Sequence, residues 1–158
     1  AQIALKNALF LPIFKVNYRA IPWVIFSDPE LARVGLTEAQ ARRFYGSKIQ
    51  VLKQFYKTVD QAQLQGETTG FCKLIVQGNG TILGAHLVGP AAGETIHAIA
   101  LAIKHQLKVT ALSDLVHVSP TLSEINFKTA TAWANLAHHP AQENLLETFF
   151  NLRRSWSS

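Results

Sequence analysis

The chain has 158 residues, of which 48% are hydrophobic and 16% charged, so it can bury a sizeable core and has the composition of a soluble globular protein. Its formal net charge is +5, but the lysines and arginines are scattered, which argues against a nucleic-acid-binding protein. No apolar run is long enough to span a bilayer. The single cysteine, Cys72, excludes an intrachain disulfide and a cysteine-rich zinc site and fits the reducing cytoplasm.

The chain divides into three predicted segments. It contains no methionine, and residues 3–10 have the pattern of a helix end, so we expect a fragment cut from a longer protein. Residues 1–20 are interpreted as the tail of a preceding domain or a linker. Residues 21–138 form the main domain, and residues 139–158 form a helical C-terminal extension.

Apolar runs bounded by turn residues predict four strands, at residues 23–26, 48–55, 71–76 and 81–88. The turn Ser27-Asp28-Pro29 ends the first strand. The polar, glutamine-rich residues 58–69 are interpreted as a loose connection. Gly78-Asn79-Gly80 predicts a tight hairpin between the last two strands, since Asn and Gly tolerate positive φ. These glycines fail the Gly-x-Gly-x-x-Gly spacing, so we predict no dinucleotide site in this chain.

Helical spacing of apolar residues predicts four helices, at residues 38–45, 92–106, 121–138 and 142–153. Thr37 and Gln40 form a possible capping box at the start of the first, and Gly46 ends it. His138 and His139 end the third, where adjacent side chains diverge too far to share a metal ion. Sequential strands followed by helices indicate an α+β fold, an antiparallel β-sheet flanked by helices.

One polar stretch stands before the third helix. Pro120 restricts Ser119 to an extended conformation and is allowed in the first turn of a helix. Glu124 lies one turn further on, so its carboxylate could orient a polar group at position 119. An ordinary X-Pro helix start, with Glu124 favouring the helix dipole, explains the same spacing. His117 fits either a functional role or a helix-flanking histidine with only structural hydrogen bonds.

The stretch 114–124 resembles the C-terminal signature His-x-[His or Tyr]-Pro-Thr-x-x-Glu of the flavin-dependent pyridine nucleotide–disulfide oxidoreductases. That family includes dihydrolipoamide dehydrogenase, glutathione reductase and mercuric reductase. The sequence of residues 21–38 is most similar to the mercuric-reductase-like branch. Further family-like motifs follow in order at residues 21–24, 27–38, 70–74, 84–90 and 92–94.

The resemblance implies that residues 21–138 are the C-terminal dimerisation domain of a parent enzyme that binds FAD and NAD(P)H in N-terminal domains. It implies a homodimer with residues 116–120 and the helix 121–138 near the two-fold axis. Ser119 would take the catalytic position, with Glu124 orienting it and His117 as the first signature histidine. Ser119 and Pro120, the latter after a cis peptide bond in the family, would lie against the partner's flavin. The fragment alone would be inactive and bind no cofactor.

The chain departs from the family at Ser119, where the thiol-reducing branch has histidine and the mercuric-reductase-like branch commonly has tyrosine. Serine has no pKa near neutrality and cannot replace histidine as an acid–base group. The terminal cysteine pair of mercuric reductases is also missing, which argues against mercuric ion as the substrate. The alternatives are a free-standing interaction protein and a free-standing enzyme that uses His117, Ser119 and Glu124. No nucleic acid, membrane or metal partner is predicted.

Overall fold

The structure, a computed structural model, describes residues 2–15 and 18–137. Its centre is a five-stranded antiparallel sheet with strand order β1-β2-β5-β4-β3. The strands are β1 Trp23–Ile25, β2 Glu30–Gly35, β3 Ile49–Phe55, β4 Phe71–Gln77 and β5 Ile82–Gly89. The predicted α+β class and antiparallel sheet are confirmed, and β4 and β5 are joined by the predicted Gly-Asn-Gly turn, where Gly80 has φ +89°.

Strand β2 is absent from the sequence-based prediction, which assigned no element between the turn at Pro29 and the helix start at Thr37. The segment does alternate with the period of a strand: Ala32 and Val34 are fully buried, whereas Leu31 and Arg33 point to the opposite face. A small alanine and a charged arginine weaken the β-propensity signal, so the pairing of β2 between β1 and β5 determines this strand.

Six α-helices occur in the described part of the chain: α1 Gln2–Leu9, α2 Glu38–Tyr45, α3 Asp60–Gln65, α4 Ala92–Lys104, α5 Thr110–Ser113 and α6 Glu124–Ala137. The predicted loose connection at 58–69 was wrong, because it contains α3, which buries Ala62 and ends at Gly66 in the left-handed conformation. Helix α6 begins at Glu124, three residues later than predicted. None of these helices is both long and apolar enough to cross a membrane. The predicted helix 142–153 and the pair His138-His139 lie outside the described residues.

The helices form layers on both faces of the sheet. Helices α4 and α6 pack on one face and bury the main core, in which Ile96, Ile99 and Ile125 contact the sheet. Within this layer the Asn126 side-chain amide donates to the Thr95 carbonyl at 3.0 Å and joins α6 to α4. Helix α2 covers one end of the opposite face through a smaller cluster of Ala41, Ile49 and Ile75, with Leu36, Tyr45 and Leu83 packed around it.

The predicted capping box at α2 is present. The Gln40 N–H donates to Thr37 Oγ1 at 3.2 Å, and the Thr37 N–H donates to Gln40 Oε1 at 2.9 Å. We expect Thr37→Ala to lower the free energy of unfolding by about 0.5–2 kcal/mol, because a helix-end N–H loses its acceptor. Urea unfolding followed by circular dichroism measures this loss, with the exposed Ser47→Ala as the control. Equal stability of both variants would contradict the role of the cap.

Candidate functional site

The residues that the sequence singles out come together at the connection between α5 and α6. His117, Ser119 and Pro120 lie in this connection, and Glu124 is the first residue of α6. The Ser119–Pro120 peptide bond is cis. The Thr121 hydroxyl donates to the Val118 carbonyl at 2.7 Å, so its side chain holds the turn around Pro120.

This connection exposes apolar side chains. Val116 is 93% exposed and Val118 76%, and Leu115 is also exposed. Ser119 and Pro120 stand beside them at the surface. We call residues 115–120 the apolar loop. An exposed apolar patch beside polar groups is typical of an interaction site in a soluble protein.

Glu124 has a different partner from the one that the sequence predicts. Its Oε1 lies 3.3 Å from Lys128 Nζ, one turn along α6, and no hydrogen bond joins it to Ser119. Lys128 Nζ also donates to the Thr58 carbonyl, which ties α6 to the segment before α3. Glu124 Oε2 is buried and has no hydrogen-bond partner among the described residues. Sequence reasoning missed Lys128, although the i,i+4 spacing from Glu124 is the signal that identifies such a pair.

His117 has structural contacts. Its Nε2 lies 3.2 Å from the Leu112 carbonyl, and its ring centroid lies 5.5 Å from that of Phe127. A carbonyl only accepts hydrogen bonds, so Nε2 must carry the proton. The half-buried imidazole therefore fastens the start of the apolar loop to α5 and α6.

We expect His117→Ala to lower the free energy of unfolding by about 1–3 kcal/mol, because the Leu112 carbonyl loses its donor and Phe127 loses a packing partner. Thermal or urea unfolding measures this, and His105→Ala, at an exposed position after α4, is the matched control. A variant as stable as the wild type would show that the hydrogen bond contributes nothing.

Cys72 lies in β4 and is fully buried in the main core. Burial raises the pKa of its thiol to about 12, so the thiol stays neutral and unreactive at physiological pH. Within the described residues, no group of three or more His, Cys, Asp or Glu side chains could hold a metal ion.

Comparison with known proteins gives consistent matches. The family model described as "Pyridine nucleotide-disulphide oxidoreductase, dimerisation domain" matches residues 21–131. The chain is 40% identical over 115 residues to a dihydrolipoyl dehydrogenase of Synechocystis sp., covering 70% of this chain and 24% of the relative. It is 38% identical over 124 residues to a mercuric reductase of Staphylococcus aureus, covering 77% of this chain and 22% of the relative.

The fold also matches solved structures. A Cu(II) complex of the HOCl-induced flavoprotein disulfide reductase RclA from Escherichia coli superposes with a TM-score of 0.76 at 28% identity. That superposition covers 83% of this chain and 30% of the reductase. The chain thus spans about a quarter of the length of the curated relatives that it matches. It belongs to the dimerisation-domain family of the pyridine nucleotide–disulfide oxidoreductases.

Proposed function

We propose that this chain is the C-terminal part of a longer, cytoplasmic flavoenzyme and completes the active site of a partner subunit. The parent binds FAD and NAD(P)H in N-terminal domains and works as a homodimer. Residues 21–138 form the dimerisation domain, residues 1–20 the link to the preceding domain, and residues 139–158 a C-terminal extension. The 158-residue chain alone has no redox activity.

The observation that carries this proposal is the exposure of the apolar loop. A folded domain with a closed main core has no internal need for Val116 and Val118 at its surface. Burying such side chains is favourable by about 1.5–3 kcal/mol each, so a partner surface that covers them stabilises the assembly. Membership of a dimerisation-domain family supports a second copy of the parent as that partner.

The apolar loop also fits the edge of a flavin. Ser119 and Pro120 are exposed on a segment whose neighbours are apolar, so the loop can approach a planar aromatic ring without burying an unpaired charge. In this arrangement Ser119 and Pro120 would contact the partner's flavin, with Ser119 facing a pair of redox cysteines in the partner's flavin-binding domain. The bound flavin supplies electron transfer between nicotinamide and the substrate.

Each polar residue near the loop has a distinct role in the proposal. Ser119 donates or accepts a hydrogen bond but stores no proton, because its hydroxyl does not ionise near neutral pH. Glu124 anchors α6 through Lys128 and leaves Oε2 as a buried acceptor. His117 positions the loop through the Leu112 carbonyl. The parent is therefore a poor reductase of lipoamide or glutathione and a competent donor to non-thiol acceptors.

Purification of the full-length parent tests the proposal. We expect it to carry a visible oxidised-flavin spectrum, which NADH or NADPH bleaches, whereas the 158-residue chain shows no flavin absorbance and no turnover. An open reading frame that encodes no flavin-binding domain upstream, or NAD(P)H oxidation by the 158-residue chain alone, would contradict the proposal.

A further inference from the structure

On the face of the sheet opposite the main core, α2 covers one end and leaves the other end uncovered by the remaining described helices. Strand register aligns the remaining side chains of this face in two rows that cross all five strands. We call this surface the open face. Its cationic row consists of Trp23, Arg33, His86, Lys73 and Lys53. Its apolar row consists of Ile25, Leu31, Val88, Phe71 and Phe55.

The cationic row has more positive charges than carboxylate partners among the described residues. Lys73 Nζ lies 3.3 Å from Glu38 Oε2, but Arg33 and Lys53 form no ion pair within the described residues. Arg33 lies over the Trp23 ring at 5.6 Å. Lys53 lies over the two phenyl rings of the apolar row, 4.3 Å from Phe71 and 4.7 Å from Phe55. Because neighbouring strands are about 4.8 Å apart, the row extends for roughly 19 Å.

The apolar row remains partly exposed. Ile25 is 53% exposed and Phe55 43%, at opposite edges of the sheet, and the residues between them are partly exposed. We propose that the open face binds an acidic, amphipathic polypeptide segment of another protein. Its carboxylates pair with Arg33 and Lys53, and its apolar side chains cover the apolar row.

The chain itself shows how a carboxylate binds here. Glu38 of α2 accepts hydrogen bonds from Arg42 and from Lys73 of the cationic row. These two donors hold the pKa of the Glu38 carboxyl below its usual value, so the carboxylate stays ionised. Helix α2 thus places an acid on the row and apolar residues beside it, the combination that the proposed segment would repeat further along the face.

A single-stranded nucleic acid is the competing polyanion, but the open face suits it less well. Bases bind by stacking on free aromatic faces. Here the cationic groups of Arg33 and Lys53 already lie over the Trp23, Phe55 and Phe71 rings, and the rest of the apolar row is aliphatic. Aliphatic side chains favour leucine-like groups of a polypeptide, while the cations remain accessible to carboxylates.

His86 provides a local reporter. It lies between Arg33 and Lys73 in the cationic row, with Nδ1 buried and without a hydrogen-bond partner in the described structure. Burial, followed by the charges of Lys73 and Arg33, lowers its pKa to about 4, against a smaller opposing effect of Glu38. A segment bound over the row would change the surroundings of the His86 imidazole, so the NMR signals of its ring protons should shift on binding.

The test uses fluorescence anisotropy of a fluorescein-labelled peptide of Leu, Glu and Ser that is long enough to cross the five strands. We expect the 158-residue chain to bind it saturably and its Glu-to-Gln counterpart at least about tenfold more weakly. The paired substitutions Arg33→Glu and Lys53→Glu should weaken binding by about tenfold or more. Lys48→Glu with Lys104→Glu, which change the net charge equally but lie off the open face, should leave it unchanged.

A milder pair, Arg33→Gln with Lys53→Gln, separates lost binding from lost folding. It should also weaken binding while the circular dichroism spectrum stays that of the wild type. Equal effects of the two Glu pairs, unchanged NMR signals of the His86 imidazole on saturation, or tighter binding of labelled oligouridine RNA would each overturn the proposal. Binding by the 158-residue chain but not by its longer parent would do so too, because a parent domain would then cover the face.

Discussion

Replacing Ser119 with histidine should raise the dithiol turnover of the full-length parent by about 10²–10⁴-fold, the range of positioned acid–base help. Serine cannot hold the proton that a thiol and an imidazole share, whereas histidine titrates near neutral pH. Glu124 Oε2, which has no hydrogen-bond partner among the described residues, offers an acceptor for the new imidazole N–H. The measurement is steady-state turnover with lipoamide, with a quinone as the non-thiol acceptor.

Three controls sharpen this result. Ser119→Ala should change turnover with either acceptor little, since the hydroxyl carries no acid–base role. Quinone turnover should be similar in all variants, because hydride transfer from nicotinamide to flavin needs no base at this position. Glu124→Gln added to Ser119→His should remove part of the gain. Wild-type lipoamide turnover at a rate normal for the family, abolished by Ser119→Ala, would show that position 119 has been misassigned.

Charges placed in the apolar loop should separate the subunits. Val116→Asp combined with Val118→Asp would bury two unpaired carboxylates in the proposed interface, and each would cost several kcal/mol. We therefore expect the dissociation constant of the dimer to rise by about 10³-fold or more. Sedimentation velocity of the parent across a dilution series measures this. Leu64→Asp, at an exposed leucine in α3 and outside the loop, is the control and should leave the dimer intact.

The stability of the single chain distinguishes an interface effect from misfolding. Val116 and Val118 are largely exposed in the single chain, so the double substitution should leave its unfolding transition unchanged. A parent that remains dimeric with both substitutions would place the subunit contact elsewhere. Sedimentation of the wild-type parent as a monomer would contradict the homodimer itself.

The fold was predictable where local chemistry is decisive. The Gly-Asn-Gly turn fixed the β4–β5 hairpin, and the Thr37–Gln40 box fixed the start of α2. Strand β2 and helix α3 were missed because tertiary contacts determine them. Ala32 and Val34 alternate too briefly to indicate a strand, and a six-residue helix is too short to be stable without packing of Ala62.

The sequence indicates the candidate segment but not its side-chain pairings. Pro120 and its neighbours mark the segment that we propose as the site, yet the Glu124 partner depends on competition between Ser119 and Lys128, which spacing alone cannot decide. The cationic row shows the same limit more strongly. Arg33, Lys53 and Lys73 follow one another at intervals of 20 residues in the sequence. Only the strand register brings them into one row.

The central claim, that the apolar loop of one subunit completes the active site of the other, is tested most directly by cross-linking. The parent with Ser119→Cys is reduced with NAD(P)H and treated with a short bismaleimide. Cys72 should not react with the maleimide because its side chain is buried. We predict a product of twice the chain mass on a denaturing gel, with the introduced thiol linked to a redox cysteine of the other subunit. Modification of the introduced thiol without a link, or a link within one chain, would contradict the claim.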